Sequence, residues 1–313
     1  MNISRASTIS LKVFVHEHES LSKLIQLTTA SLWYLEKTST DGFAPSLVTL
    51  FADYVPYWGR PPISELNEVR RNEFTSELGR LGIIRVISAF DHYISSLLSE
   101  LDSISVLFVE KVQASNKDSD MVDDDKPPRL IAFCKRIGLE ITEKQEVLSE
   151  FINILRNCCA HRAGRASKKL VDMLGNEHVV DALDIKSNAN GKKRWTANFP
   201  KLYPGDVIPI SPVHAIWASI VCLEIAKEIN TFIANKIGLH GLLGLAIYSL
   251  PKCYYLGKRK RANKFDTPQA AVNFILSLML ITDTNEVETV RVLKKEGLWD
   301  KAVTRFSQVK LDA

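Results

Sequence analysis

Arg156, Asn157 and His161 share one turn and a half of chain within the run ILRNCCAHRAGRAS, Ile154 to Ser167. A guanidinium is a permanently charged fork that fits phosphate oxygens. An imidazole takes up or gives a proton near neutral pH. An amide can orient either one. Arg162, Arg165, Lys168 and Lys169 follow with no acid among them. Together these residues suit a phosphodiester that carries its own nucleophile, the 2′-OH of RNA. His161 would act as base or acid, Arg156 would hold the non-bridging oxygens, and Asn157 would steady the phosphate or the imidazole. The cations from Arg162 to Lys169 would bind the flanking backbone.

The spacing alone is weak, because a chain of this composition holds roughly a third of one Arg-x4-His pair by chance. The helix that must carry it adds weight. Thr142 and Gln145 form a capping-box pattern that opens a helix over 142–162. Val147, Phe151, Ile154 and Cys158 recur at four-three-four spacing, as do Leu148, Ile152, Leu155 and Cys159. These two rows make one broad apolar face. Glu146, Glu150, Asn153 and Asn157 occupy the opposite side, Arg156 lies on the polar side, and His161 falls at the seam. Gly164 is a stop signal just beyond. A purely structural alternative exists: Arg156 and His161 as C-terminal cations facing the helix dipole.

The pattern resembles the HEPN superfamily, helical domains many of which are metal-independent RNases of toxin and antiviral systems. Their mark is Arg-x4-6-His, often Arg-Asn-x3-His, near the end of an inner helix, and Arg156, Asn157 and His161 match it. LGIIRVISAFDHYISSLLSEL resembles the family's first long helix. Ile83, Ile87, Phe90, Ile94, Leu97 and Leu101 form its core stripe, and Asp91 is expected to be half-buried. The resemblance gives Asp91 the role of supporting the motif's Arg or His; a salt bridge to a cation of the same bundle is the alternative. SPVHAIWASIVCLEIAKEINTFIANKI resembles the closing helix, with Ser211 as cap and Pro212 in the first turn. The likeness spans about residues 70 to 237. It implies a 2′,3′-cyclic phosphate product, no metal or cofactor, and a homodimer in which two motif helices build a composite site. It also implies a toxin or antiphage effector acting on tRNA or other cellular RNA, with an antitoxin or defence-system partner. The alternative function is a non-catalytic HEPN-like module that binds nucleic acid or a partner protein. A DNA-binding regulator built on the helical tail ranks below both, for want of a clean turn between two short helices.

The expected fold is mainly all-α: an N-terminal helical segment (1–62), a HEPN-like helical domain (63–238) and a helical C-terminal extension (239–313). An acidic loop at 114–128 and an insert at 170–210 interrupt the central domain. Helices are expected over 9–37, near 46–53, over 63–104 whole or broken, and over 129–137. VVDALDIK and KRWTANF suit a small hairpin. IGLHGLLGLAIYSL reads as a buried pair of helices, and no apolar stretch reads as a membrane span. Thr267-Pro268 starts a helix with Ala271, Phe274, Leu278 and Ile281 aligned. The net charge of +4 in 313 residues is mild, so local basic patches matter more than the sum. One lies at 252–264, where Tyr254, Tyr255, Lys258, Arg259, Lys260 and Arg261 combine stacking surface with charge; a solvated loop is the plainer alternative. Trp195 beside Lys192, Lys193 and Arg194 is a weaker case. His16 and His18 fit an exposed helix better than a metal site. Five cysteines without a CxxC pair predict buried free thiols in a reducing cytoplasm.

Overall fold

A computed structural model describes residues 1–39, 68–104, 129–187, 193–250 and 265–311. The expected helix near 46–53, the acidic loop 114–128 and the basic cluster 252–264 lie outside these residues. Within them the chain is all-α apart from one small hairpin. The helices are α1 (Ile9–Ser39), α2 (Glu68–Ser103), α3 (Arg129–Ile137), α4 (Glu143–His161), α5 (Lys168–Leu174), α6 (Glu177–Ala182), α7 (Pro212–Tyr248), α8 (Pro268–Leu278), α9 (Glu286–Lys295) and α10 (Trp299–Leu311). Strands β1 (Asp184–Ser187) and β2 (Lys193–Thr196) pair antiparallel, Ile185 opposite Trp195. The hairpin is therefore present but shorter than the sequence suggests. Its expected first half is α6, because Asn176 caps that segment by accepting from His178 N–H and starts a helical turn.

The chain divides into two compact units. The first holds residues 1–16, 89–146 and 223–313. In it Phe14, Phe90 and Tyr93 form an aromatic cluster with ring centroids 5.4 to 6.0 Å apart. Tyr93 Oη donates to the Ala226 carbonyl at 3.1 Å. Burial above all, with the Glu100 charge adding, pushes the Tyr93 hydroxyl well above its ordinary pKa. The amide of Asn230 clamps the N-terminal segment, accepting from Thr8 N–H at 2.8 Å and donating to the Ala6 carbonyl at 3.0 Å. Thr267 and Asn285 cap α8 and α9 as their types predict. The buried face of α8 is Ala271, Val272, Ile275 and Leu276, so it is rotated from the expected row; Phe274 turns to Phe265 instead, 5.1 Å between centroids. The apolar run after Ile237 is one helix rather than two. It follows a break at Gly238, whose φ of 58° and ψ of −165° interrupt α7.

The second unit holds residues 17–88 and 147–222, including the candidate site. Helix α4, whose first turn belongs to the first unit, is opened by the expected capping box, Gln145 N–H to Thr142 Oγ1 at 3.3 Å and Thr142 N–H to Gln145 Oε1 at 2.9 Å. The apolar face is buried as patterned: Phe151, Leu155 and Cys158 are fully enclosed. Phe151 meets Phe199 and Trp217 edge-on at 5.6 and 6.1 Å. Trp217 in turn donates its indole N–H to the Leu183 carbonyl at 2.9 Å, which satisfies the one polar atom of a buried ring. Along α2, Gly79 and Gly82 permit close approach to the start of α7. A Cβ at Gly79 would stand 2.6 Å from the Ser211 carbonyl carbon, and one at Gly82 would stand 2.6 Å from Ala215 Cβ.

The expected stripe of α2, from Ile83 to Leu101, is buried throughout, and the helix is unbroken. The membrane expectation is corrected by this helix. Within Arg71–Ser103 an 18-residue window has a mean hydropathy of 1.3, so the helix is long and apolar enough to cross a bilayer by length and composition. Arg85 and Asp91 are the only full charges over 81–98, and a core stripe rich in Ile and Leu supplies the rest.

Candidate functional site

Helix α4 ends at His161 in a sharply turned segment. Ala163 and Gly164 both adopt left-handed backbone, φ 52° and 76°. Arg162 and Gly164 N–H groups both donate to the Cys158 carbonyl, at 3.2 and 2.9 Å, closing the helix end. The chain then leaves as an extended stub that pairs with a distant segment. Ala166 N–H donates to Asp206 O at 2.8 Å, Gly205 N–H to Ala166 O at 2.9 Å, and Ile208 N–H to Gly164 O at 2.9 Å. The far end of the 170–210 insert thus returns to the motif and forms its wall.

Arg156 and Asn157 are half-buried at the edge of the apolar face, and His161 is exposed. His161 is therefore wetter, and Asn157 drier, than the sequence pattern suggests. His161 is the last residue of the helix. Arg156 Nη1 donates to Asn157 Oδ1 at 3.0 Å. Arg156 Nε is buried with no acceptor, and no carboxylate pairs with this guanidinium among the described residues. A buried donor without an acceptor costs free energy, and an anion is the natural group to satisfy it. Arg156 and His161 are five steps apart, about 140° around a helix axis. A single α4 therefore presents its arginine and histidine on separate faces.

The surrounding cations differ in standing. Arg162 and Lys168 are exposed and form no ion pair among the described residues. Arg165 is exposed and donates one Nη to the Gly205 carbonyl at 3.0 Å, which fixes its stem and leaves its other donors outward. Lys169 pairs with Glu150 of α4 at 3.1 Å, so its charge is partly answered, unlike the acid-free cluster that the local sequence suggests. Asp91 is half-buried, as expected, on the stretch of α2 that belongs to the other unit. The side chains of β2 and the 252–264 cations are outside the described set.

Two residues escape sequence reasoning. Arg80 of α2 lies across the turn: a Cβ at Gly164 would stand 2.7 Å from its Nε and 2.9 Å from its Cζ. Arg80 pairs with Glu77 and reaches Ser76 Oγ, while its Nε is buried without an acceptor. The flanking Gly79 and Gly82 were the one signal, since small residues at that spacing mark close helix approach. Tyr203 is the second, on a turn that the dipeptide Pro204-Gly205 announces.

Both thiols of the motif helix are buried. Burial foremost, with Cys158 adding to it and Arg80 opposing, pushes the Cys159 thiol up to about 12, which disfavours its thiolate at neutral pH. Four cysteines are buried, Cys134, Cys158, Cys159 and Cys222. Among the described residues, no group of three His, Cys, Asp or Glu is placed to hold a metal ion. No protein-family model matches the chain, and no curated protein or solved structure does either.

Proposed function

We propose that this protein is a metal-independent endoribonuclease of HEPN type. The observation that carries the reading is Arg156: a half-buried guanidinium, steadied by the amide next to it, with a buried donor unanswered and no carboxylate neutralising it among the described residues. Such a group is prepared for a phosphate oxygen. His161 stands one turn further at the helix mouth, open to solvent and to substrate. An imidazole removes the 2′-OH proton, O2′ attacks phosphorus, and the new O2′–P bond replaces the P–O5′ bond. The departing O5′ takes a proton from a second acid. The products are a 2′,3′-cyclic phosphate and a 5′-OH. One helix carries its Arg and His on separate faces, and the resemblance implies that the complete set comes from two copies, with two motif helices meeting across a homodimer. The resemblance gives Asp91 the role of supporting the motif's Arg or His. The resemblance further implies a toxin or antiphage effector that cuts tRNA or other cellular RNA, held in check by an antitoxin or defence-system partner, and the cysteines without a CxxC pair fit a reducing cytoplasm.

The same angular separation motivates the second reading, a non-catalytic module whose arginine only holds a phosphate or a partner protein. The chemistry of the cut distinguishes them. An RNA with a single 2′-deoxy sugar at the cleaved position should resist cleavage there, and the parent RNA should yield fragments ending in cyclic phosphate. Fragments with a 5′-phosphate, or cleavage that ignores the 2′-deoxy sugar, would exclude the mechanism. Tight binding with no fragments would establish the second reading.

A further inference from the structure

We propose that Tyr203 is a base-stacking platform, which holds one unpaired nucleobase beside the phosphate that Arg165 and its neighbouring cations grip. The inference rests on the RNA reading above and names the form of RNA taken: single-stranded. Tyr203 opens a tight turn, Tyr203-Pro204-Gly205-Asp206. Asp206 N–H donates back to the Tyr203 carbonyl at 3.0 Å. Pro204 at the second position and Gly205 at φ 94° give it type II geometry. The Asp206 carboxylate accepts from Tyr203 N–H at 2.8 Å, so this acid is committed to the turn.

The turn is anchored to the end of the motif helix by the three backbone hydrogen bonds of residues 164–166 with 205–208 and by Arg165. Leu202 and Ile208 on either side are buried. On this fixed tip the Tyr203 ring is 61% exposed, with Lys201 Nζ 5.8 Å from its centroid. Apart from Lys201 the ring has no partner among the described residues, and its hydroxyl makes no hydrogen bond there. A rigid exposed aromatic flanked by a lysine and an arginine pairs a π-face with a track for phosphates. That combination suits a single strand, because a base inside a duplex has no free face.

The test uses a fluorescent single-stranded 2′-O-methyl RNA, which cannot be cut by 2′-OH attack, titrated at several salt concentrations. Tyr203→Ala should keep its melting temperature and weaken binding about five- to hundred-fold, the range for removing one stacked base. Its salt dependence should match the parent's, because every phosphate is still held by the same cations. Tyr203→Trp should bind as the parent does. Lys201→Ala should instead lower the log–log salt slope by about 0.7. Equal affinity of Tyr203→Ala and parent overturns the platform, and so does a weakening accompanied by the slope change of Lys201→Ala. A parent that binds this strand through Tyr203 yet leaves natural RNA intact upholds the platform and removes the nuclease. A parent that does not bind overturns both.

Discussion

Protonating His214 would remove an acceptor that Ser211 uses twice. His214 Nδ1 accepts from Ser211 N–H at 3.0 Å and lies 2.9 Å from its hydroxyl, while Nε2 faces the Asn198 carbonyl at 3.2 Å. Both ring nitrogens are occupied in the neutral form, Nδ1 as acceptor and Nε2–H as donor. Burial lowers its pKa below the usual 6.5, and the Asn198 and Ser211 backbone bonds offset this only in part. A lowered native pKa means that the unfolded chain binds the proton first. The contribution of His214 is therefore fully present above about 6.5 and is lost as pH falls through the native value. Urea denaturation at pH 7.5 and 5.5 should show a smaller drop for His214→Gln, whose amide can still accept at this capping position. An identical drop in parent and variant would assign the pH dependence elsewhere. At the same scale, Gly164→Ala places a Cβ on a left-handed backbone and against Arg80. The backbone part costs about 1–2 kcal/mol. Arg80→Ala in the same chain should relieve the steric part alone, so the two changes should be non-additive. Strict additivity in thermal melts would mean that Arg80 does not lie over this turn.

The helices were legible because each declares itself locally. The Thr142–Gln145 box, the doubled apolar rows of α4 and the stripe from Ile83 to Leu101 all repeat at helical period, and burial follows them closely. Removing the cap oxygen with Thr142→Ala should cost about 1 kcal/mol, read as a shifted denaturation midpoint with unchanged slope. A change in slope would mean that the cap shapes more than the helix end. What the sequence hid is long-range backbone pairing. The pairing of 164–166 with 205–208 involves no periodic side chains and is flanked by Pro204 and Pro209, so it leaves no pattern to read. The wall of the candidate site, and Tyr203 on it, were invisible for that reason. Arg80 was hidden likewise, because its neighbour at Gly164 is some eighty residues away. The Arg156, Asn157 and His161 cluster was legible as types and spacing, whereas the burial of Arg156 and the exposure of His161 depend on where the helix ends.

On the proposed mechanism a second copy of the chain supplies what one α4 lacks. Light scattering at micromolar concentration should give twice the chain mass of 35.2 kDa, and a monomer that still cuts RNA would sink the composite site. The 252–264 cluster belongs to this scale too. Neutralising Lys258, Arg259, Lys260 and Arg261 together should flatten the salt dependence of RNA binding by about 0.7 in slope for each phosphate these cations no longer hold. Cleavage at saturating RNA should be unaffected, and an unchanged slope would reduce the electrostatic footprint to the cations around Arg156.

The central claim is that Arg156 and His161 cut RNA without a metal. The most direct measurement is the cleavage rate of RNA by purified protein in excess EDTA, for the parent, Arg156→Ala and His161→Ala, each first shown to melt as the parent does. Both substitutions lie off the apolar face of α4, so folding should survive them. The account predicts undiminished cleavage by the parent in EDTA. It predicts a loss of about 100- to 10,000-fold for His161→Ala, the usual worth of a general acid or base, and a comparable loss for Arg156→Ala. A parent rate abolished by EDTA, or either variant cutting at the parent's rate, would contradict it.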